Sequence, residues 1–483
     1  MELTLVNLLL LAVLPLGSAE KIIGTYIFHR HGDRTTKSYQ PVSLTSLGAE
    51  QVFASGSYYR NIYLSSESTS QIQSISSTIP KLSQLSVTAP VDAVLQNSAQ
   101  VFLQGLYPPA GDAATETLAN GTKVQSPLGG YQYIPVNAVS TASSNAGSES
   151  NEWLQAGSGC GRATVSSNSY FSSAEYLSTL ESTSSFYQSL LPVISSTFPS
   201  EKANFKNAYT IYDYIHVSTI HNASIPSSDL LDAPTLHQLQ TRADQHEFGL
   251  AYNASEPIRA IAGSVLAGQV LQFLNATIQA QTSSSSASAP VLGIQFGAYA
   301  SFLSFFGLAS LPSVSANFTG IVDYASSIVF ELVSTSDTDY SVRFLFSNGT
   351  AGASNPPREY PLFGQGDTLL PWDDFVTGMR QFAVADTVSW CKACGETTGT
   401  CAVALGLTGS SNGSASATGE TEKKKGGLST AVGGVIGALV TLVVVLGFEA
   451  LVMALAGLRV VKKGVLRRGA VGEEGAVEPK PKA

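Results

Sequence analysis

Charge is scarce in this chain. Only 13% of the 483 residues are Asp, Glu, Lys or Arg, against about a quarter in ordinary soluble domains. Apart from Lys423-Lys424-Lys425, Lys and Arg form no basic stripe before the last 25 residues, and the net charge is −9. That excludes a nucleic-acid partner, because binding a phosphate backbone needs grouped cations. Metal-site patterns are also missing. No HExxH motif occurs, and His216, His221, His237 and His246 stand at no ligand spacing from cysteine; they read as structural or exposed, so no metal is expected. There are only four cysteines, Cys160, Cys391, Cys394 and Cys401. In an exported chain an even count predicts two disulfides, with three pairings open and a four-thiolate zinc site as the competing reading. One local bridge near the end of the domain is expected, with Cys160 tied to the same region.

The polar balance comes from Ser, Thr, Asn and Gly, a surface common among secreted glycoproteins. An apolar run from Leu3 to Leu16 ends in Gly17-Ser18-Ala19, which predicts a signal peptide over 1–19 despite a leading segment that carries Glu2 and no cation. The ectodomain is expected over 20–402, followed by a Ser/Gly-rich stalk over 403–426. Gly426 to Phe448 holds 23 residues without a charge, enough to cross a bilayer. The span is placed at 427–458, with Glu449 near the inner interface. The basic tail 459–483 predicts a cytosolic C-terminus and a single-pass type I protein in the secretory route. Seven Asn-x-Ser/Thr triplets, at Asn120, Asn222, Asn253, Asn275, Asn317, Asn348 and Asn412, all fall outside the tail, as glycosylation of a lumenal ectodomain requires.

The most informative stretch is Tyr26-Ile27-Phe28-His29-Arg30-His31-Gly32-Asp33-Arg34-Thr35. An apolar strand runs straight into two histidines, two arginines and a glycine, as open α/β sheets present reactive groups at their carboxyl edge. Arginine forks hold phosphate oxygens, and an imidazole can attack phosphorus. Further along, Thr45 or Ser46 predicts a helix start, Leu85–Ala89 a second parallel strand, and Pro290–Phe296 a third. Ser327–Ser334 and Ser341–Phe346 read as a hairpin, and 358–362 as the final edge strand. Residues from about 110 to 290 are expected to form a helical insertion, with Ile258–Leu274 its strongest helix.

Arg30-His31-Gly32-Asp33-Arg34-Thr35 resembles the Arg-His-Gly-x-Arg-x-Pro signature of the histidine acid phosphatases, with Thr36 where their proline stands. The likeness extends to the Leu44–Gln51 helix start and to Ser98-Ala99-Gln100 through Leu106-Tyr107-Pro108-Pro109. It implies a phosphoglycerate mutase-like α/β fold, a parallel-sheet sandwich with a smaller helical domain, and no cofactor. By the same likeness His31 is the nucleophile, Arg30 and Arg34 are the phosphate clamp, and the ligand is a phosphomonoester. Two departures stand out. Counting back from Pro108-Pro109 puts Thr88 where the family has a third phosphate-binding arginine. Anchoring on Gly307-Leu308 puts Gln295 and Phe296 where it has a His-Asp pair, and no His-Asp dipeptide occurs anywhere. Asp33 and Glu247 are the replacement acids to consider. Two readings therefore stay open: an acid phosphatase of impaired activity, or a non-catalytic relative that binds phosphate esters or serves as a surface glycoprotein.

Overall fold

A computed structural model describes residues 20–139, 159–282, 289–336 and 338–407. The chain divides into two units, Met1–Ser410 and Ser411–Ala483. The second unit lies outside the described residues, as do the leader, the stalk beyond 407, the apolar span, the tail and Asn412.

The sheet of the first unit is built from β1 (Lys21–Arg30), β2 (Leu85–Pro90), β3 (Asn137–Val139), β4 (Leu292–Gly297), β5 (Ser327–Ser334), β6 (Tyr340–Ser347), β7 (Arg358–Glu359) and β8 (Leu369–Pro371), in the order β8-β6-β5-β1-β4-β2-β3, with β7 also on β6. β1, β4, β2 and β3 run parallel, whereas β5 is antiparallel to β1 and β6 to β5. The sheet is thus mixed. The link between β5 and β6 is too short for the crossover a parallel pair needs, so the chain must reverse as a hairpin. The expected edge strand at 358–362 is only two residues long and shares the flank of β6 with β8.

β1 is central and buried on both faces, and its side chains alternate between two cores. Ile27 packs with Val52 and Tyr59 of α1 (Ser46–Tyr59) and Phe102 and Leu106 of α2 (Ala93–Leu106). On the opposite face Tyr26 and Phe28 pack with helices that return later in the chain.

The helical insertion is shorter than expected. Residues 111–139 contain Gly121, Pro127, Gly129 and Gly130, which interrupt any helix longer than a turn; they form a small hairpin, Thr115–Thr117 with Lys123–Gln125, and then β3. Among the described residues beyond 139 the helices begin at Gly161 and continue through α3 (Ala208–His221) and α4 (Ala233–Ala251), around a core of their own with Tyr187, Phe205, Ile211 and Leu239. α5 (Ile261–Thr282) then returns to the sheet and lays Leu266, Val270 and Leu274 beside Tyr26, Phe28 and α6 (Tyr299–Leu308). Among the described residues Pro257–Thr282 is the one helix long and apolar enough to cross a membrane; its apolar stretch is mostly buried, as in a core helix.

Cys160 is bonded to Cys394, and Cys391 to Cys401. This is the local bridge and the long tie expected from the sequence. The long tie joins the start of the helical part to the end of the unit, 234 residues on. By chain entropy alone, closing so large a loop stabilises the fold by about 5.5 kcal/mol through the unfolded ensemble. The helix Gly399–Ala404 runs past the expected boundary at 402, because Cys401 and Leu405 pack into this cluster.

Candidate active site

β1 ends at Arg30, level with Gly297 of β4, and the next four residues are clamped from two sides. At Gly32 a Cβ would lie 2.1 Å from the Gly48 carbonyl oxygen, and at Gly48 one would lie 2.0 Å from that of Asp33. Only two glycines allow the loop and the start of α1 to touch backbone to backbone. Thr45 caps that helix, accepting from the Gly48 amide at 3.0 Å, and donates to the Asp33 carboxylate. Ser98 of α2 accepts from the Gly32 amide at 3.3 Å.

The two loop histidines separate into different roles. His29 is fully buried between Phe102 and Phe296, and burial pushes its pKa down to about 4. It is a neutral packing residue. His31 lies at the strand end with Nδ1 2.8 Å from the Gly32 carbonyl oxygen. A carbonyl can only accept, so Nδ1 carries the proton and Nε2 holds the lone pair of the neutral ring. That is the arrangement a nitrogen nucleophile needs.

Arg30 and Arg34 are both buried beside it. The Arg30 guanidinium donates to the Val322 carbonyl and lies 4.6 Å from the centre of the Tyr324 ring and 5.4 Å from that of Tyr299. Arg34 lies 5.7 Å from Tyr324, and the His31 ring 5.6 Å from it. The three groups named from the sequence therefore gather around one point. Arg34 also forms a buried ion pair with Asp213 at 2.8 Å and donates to the Tyr209 hydroxyl at 3.1 Å. Burial works against both charges of that pair. For Asp213 it is outweighed by Arg34, and the Lys37 amide and Thr36 hydroxyl help hold the carboxyl below its usual range. For Arg34 the neighbouring Tyr209, Tyr324 and Asp213 keep the guanidinium protonated. Thr36 thus gives the departure from proline a use.

Several site residues carried no sequence signal that singled them out. The Lys37 ammonium lies 5.6 Å from the Tyr209 ring and 5.9 Å from Tyr299, adding a third cation. His216 stacks on Tyr212 and lies 5.9 Å from Tyr324; burial and then Arg30 lower its pKa. Proximity of Lys37 to Arg34 in sequence was the only available clue. Asp213, His216 and the tyrosines come from distant elements and could not be placed beforehand.

The degenerate positions lie elsewhere. Gln295 and Phe296 sit inside β4, short of its carboxyl end: Gln295 accepts from the Tyr26 hydroxyl, and Phe296 packs on His29 and Phe102. Gly297 is level with Arg30, and Ala298 after it is the N-cap of α6, with no side-chain cap. Thr88 is level with Gln295 and Asn137, two residues before β2 ends, and is partly buried. Both proposed acids are engaged. Asp33 binds Thr45 and, at 2.6 Å, His221; Glu247 accepts from Tyr299 at 2.7 Å and meets His246 at 2.8 Å. Asn120, Asn222, Asn275, Asn317 and Asn348 are exposed and Asn253 half-buried, and the Asn348 amide is also tied to Asp323 and Ser326. Among the described residues no three His, Cys, Asp or Glu side chains converge as a metal site would require.

The family model of the histidine phosphatase superfamily, branch 2, matches residues 38–347. The chain belongs to this family. The match starts just after the Arg30–Arg34 loop, so the loop's likeness to the signature stands beside it as separate support. Among solved structures, the Citrobacter braakii phytase aligns at TM-score 0.51 and 14% identity over 77% of this chain and 99% of its own. The Klebsiella sp. ASR1 phytase gives 0.50 and 13% over 77% and 98%, and the apo Hafnia alvei phytase 0.50 and 12% over 79% and 99%. At such identities the likeness is one of fold, here the phosphoglycerate mutase-like fold. No curated protein matches the chain in sequence.

Proposed function

We propose that the chain is a phosphomonoesterase of reduced power that works through a phosphohistidine on His31. The observation that carries this reading is the meeting of His31, Arg30 and Arg34 around one point, 4.6–5.7 Å from each. Nε2 attacks phosphorus, the bond to the ester oxygen breaks, and water then displaces the histidine to release phosphate and restore the ring. Arg30, Arg34 and Lys37 bring three cations to the pocket, with Asp213 paired to Arg34. Such charges stabilise the equatorial oxygens of phosphoryl transfer. Likeness in fold to phytases supports including inositol phosphates among the substrates tested.

The leaving oxygen needs a proton, and general-acid help is worth about 10²–10⁴ in rate. Asp33 and Glu247 are already bridged to other side chains, and Ala298, the N-cap of α6, brings no carboxyl. Aryl esters, whose leaving groups need little protonation, are the better substrates on this reading. The same observation favours a second one, a phosphate-ester binder without turnover. Assay of the full chain on p-nitrophenyl phosphate and phytate at acid pH, with His31→Ala as control, decides between them. Turnover lost in His31→Ala supports the enzyme. No turnover with phosphate-dependent thermal stabilisation supports the binder.

The leader, the uncharged span and the basic tail support a single-pass protein with this domain in the secretory lumen or outside the cell. Retention in carbonate-washed membranes and a mass shift on deglycosylation test that placement; free extraction of the full chain by carbonate counts against it.

A further inference from the structure

The ring of Tyr324 stands where a phosphoryl group would have to bind. Its centre lies 4.6 Å from the Arg30 guanidinium carbon, 5.7 Å from that of Arg34 and 5.6 Å from the centre of the His31 ring. Charge-assisted hydrogen bonds of about 2.7–2.9 Å leave no room for a ring between arginine and phosphate. A chamber beside the ring, lined by Arg30, Tyr209, Asp213, His216 and Tyr324 but not by His31 or Arg34, is about 20 Å³, enough for about one water and too small for phosphate. Both clamp arginines are also already bound within the chain, Arg30 to the Val322 carbonyl and Arg34 to Asp213.

The segment that carries this ring is tied by hydrogen bonds, the Ile321 amide to Asp244 among them, and Ile321, Val322 and Ala325 are buried. Arg30 grips Val322, the Ala325 amide donates to the His31 carbonyl at 2.9 Å, and the Asp323 amide donates to Asn348 at 2.9 Å. Ala325, directly after Tyr324, has φ +61°, a left-handed conformation that residues with a Cβ rarely adopt. A strained residue beside the ring makes this backbone a place where two arrangements can lie close in energy. Room for movement adjoins it: Ile321 and Val322, which line the small chamber, also line a cleft of about 1090 Å³.

We propose that Tyr324 is the gate of the site, a residue whose ring fills the phosphate position in the closed state and must swing aside, with 321–325, before a phosphate ester can reach His31. The inference rests on the phosphoesterase reading and deepens it by naming what controls entry. If the open state is about 1–10% populated, apparent affinity is reduced by that fraction, and removing the ring raises it by about 10- to 100-fold.

The test uses the full chain and its Tyr324→Ala, Tyr324→Phe and Asn348→Ala variants, with inorganic phosphate binding followed by calorimetry and p-nitrophenyl phosphate as substrate. Tyr324→Ala is expected to bind phosphate at least about tenfold more tightly, Tyr324→Phe, which keeps the ring, to show no such gain, and Asn348→Ala, which loosens the segment, to show a smaller one. A thermal melt confirms that each is folded, and Asn348→Ala carries the test if Tyr324→Ala is not. Tighter phosphate binding without turnover in any variant supports the gate and defeats the phosphoesterase reading. His31-dependent turnover with equal phosphate affinity in all variants keeps that reading and overturns the gate. Absence of phosphate binding from the folded Tyr324→Ala chain overturns the gate as well.

Discussion

The two halves of the site's floor differ in what they offer. The last residue of β1 and the four that follow it deliver an imidazole and two guanidiniums, locked by Thr45, Ser98 and a pair of facing glycines. The neighbouring ends of β2 and β4 deliver a hydroxyl that stops short, then a glycine and an alanine. Binding charge is concentrated on one side, and the side that would hold a proton donor is apolar. On the proposed reading, phosphate recognition and leaving-group protonation are built on separate strands and can be lost separately.

His31→Ala should break the comparison most completely, taking turnover of p-nitrophenyl phosphate to background; retained turnover would mean that the β1 half is not the reacting half. Arg34→Ala should lower stability by about 3–5 kcal/mol in denaturant unfolding, because it leaves Asp213 buried without its cation. The double change with Asp213→Ala should recover part of that loss, and a simple sum of the two single effects would show that the pair is not coupled. Ala298→Asp tests the deficient half: a carboxyl there should raise kcat for alkyl phosphates by about 10²-fold and for the aryl ester far less. It also supplies the side-chain cap that α6 lacks. Equal effects on both ester types would argue against a protonation role.

The smallest effect belongs to Asp244, outside both halves in the large cleft. Burial first, and Asp323 after it, raise its pKa to about 6, although the Ile321 amide works the other way. A carboxyl with a folded pKa above its ordinary value of about 4 binds its proton more tightly in the folded state. Stability therefore falls as pH rises from about 4 to about 6. Asp244→Asn should remove that fall and gain about 1–2 kcal/mol at pH 7, with no gain at pH 4, in paired thermal melts.

Much of this was legible from short-range signals. The strand-to-loop junction, the Thr45 cap, the parallel strands at 85 and 292 and the β5–β6 hairpin each follow from local pattern, and each is found in place. That Gln295 and Phe296 lie inside β4, before the residue level with Arg30, could not be read from the helix anchor, because a helix end says little about strand register. Asp213, His216, Tyr299 and Tyr324 reach the site from three distant segments. Nothing local distinguishes a tyrosine that walls a charged pocket from one that packs a core, so only the fold could assemble that wall.

The most direct test is to trap the intermediate. The full chain is mixed with p-nitrophenyl phosphate, quenched in base and digested for mass spectrometry. The account predicts one phosphoryl group on His31, absent from His31→Ala. A phosphoryl group on another residue, or turnover without any label on His31, would contradict it.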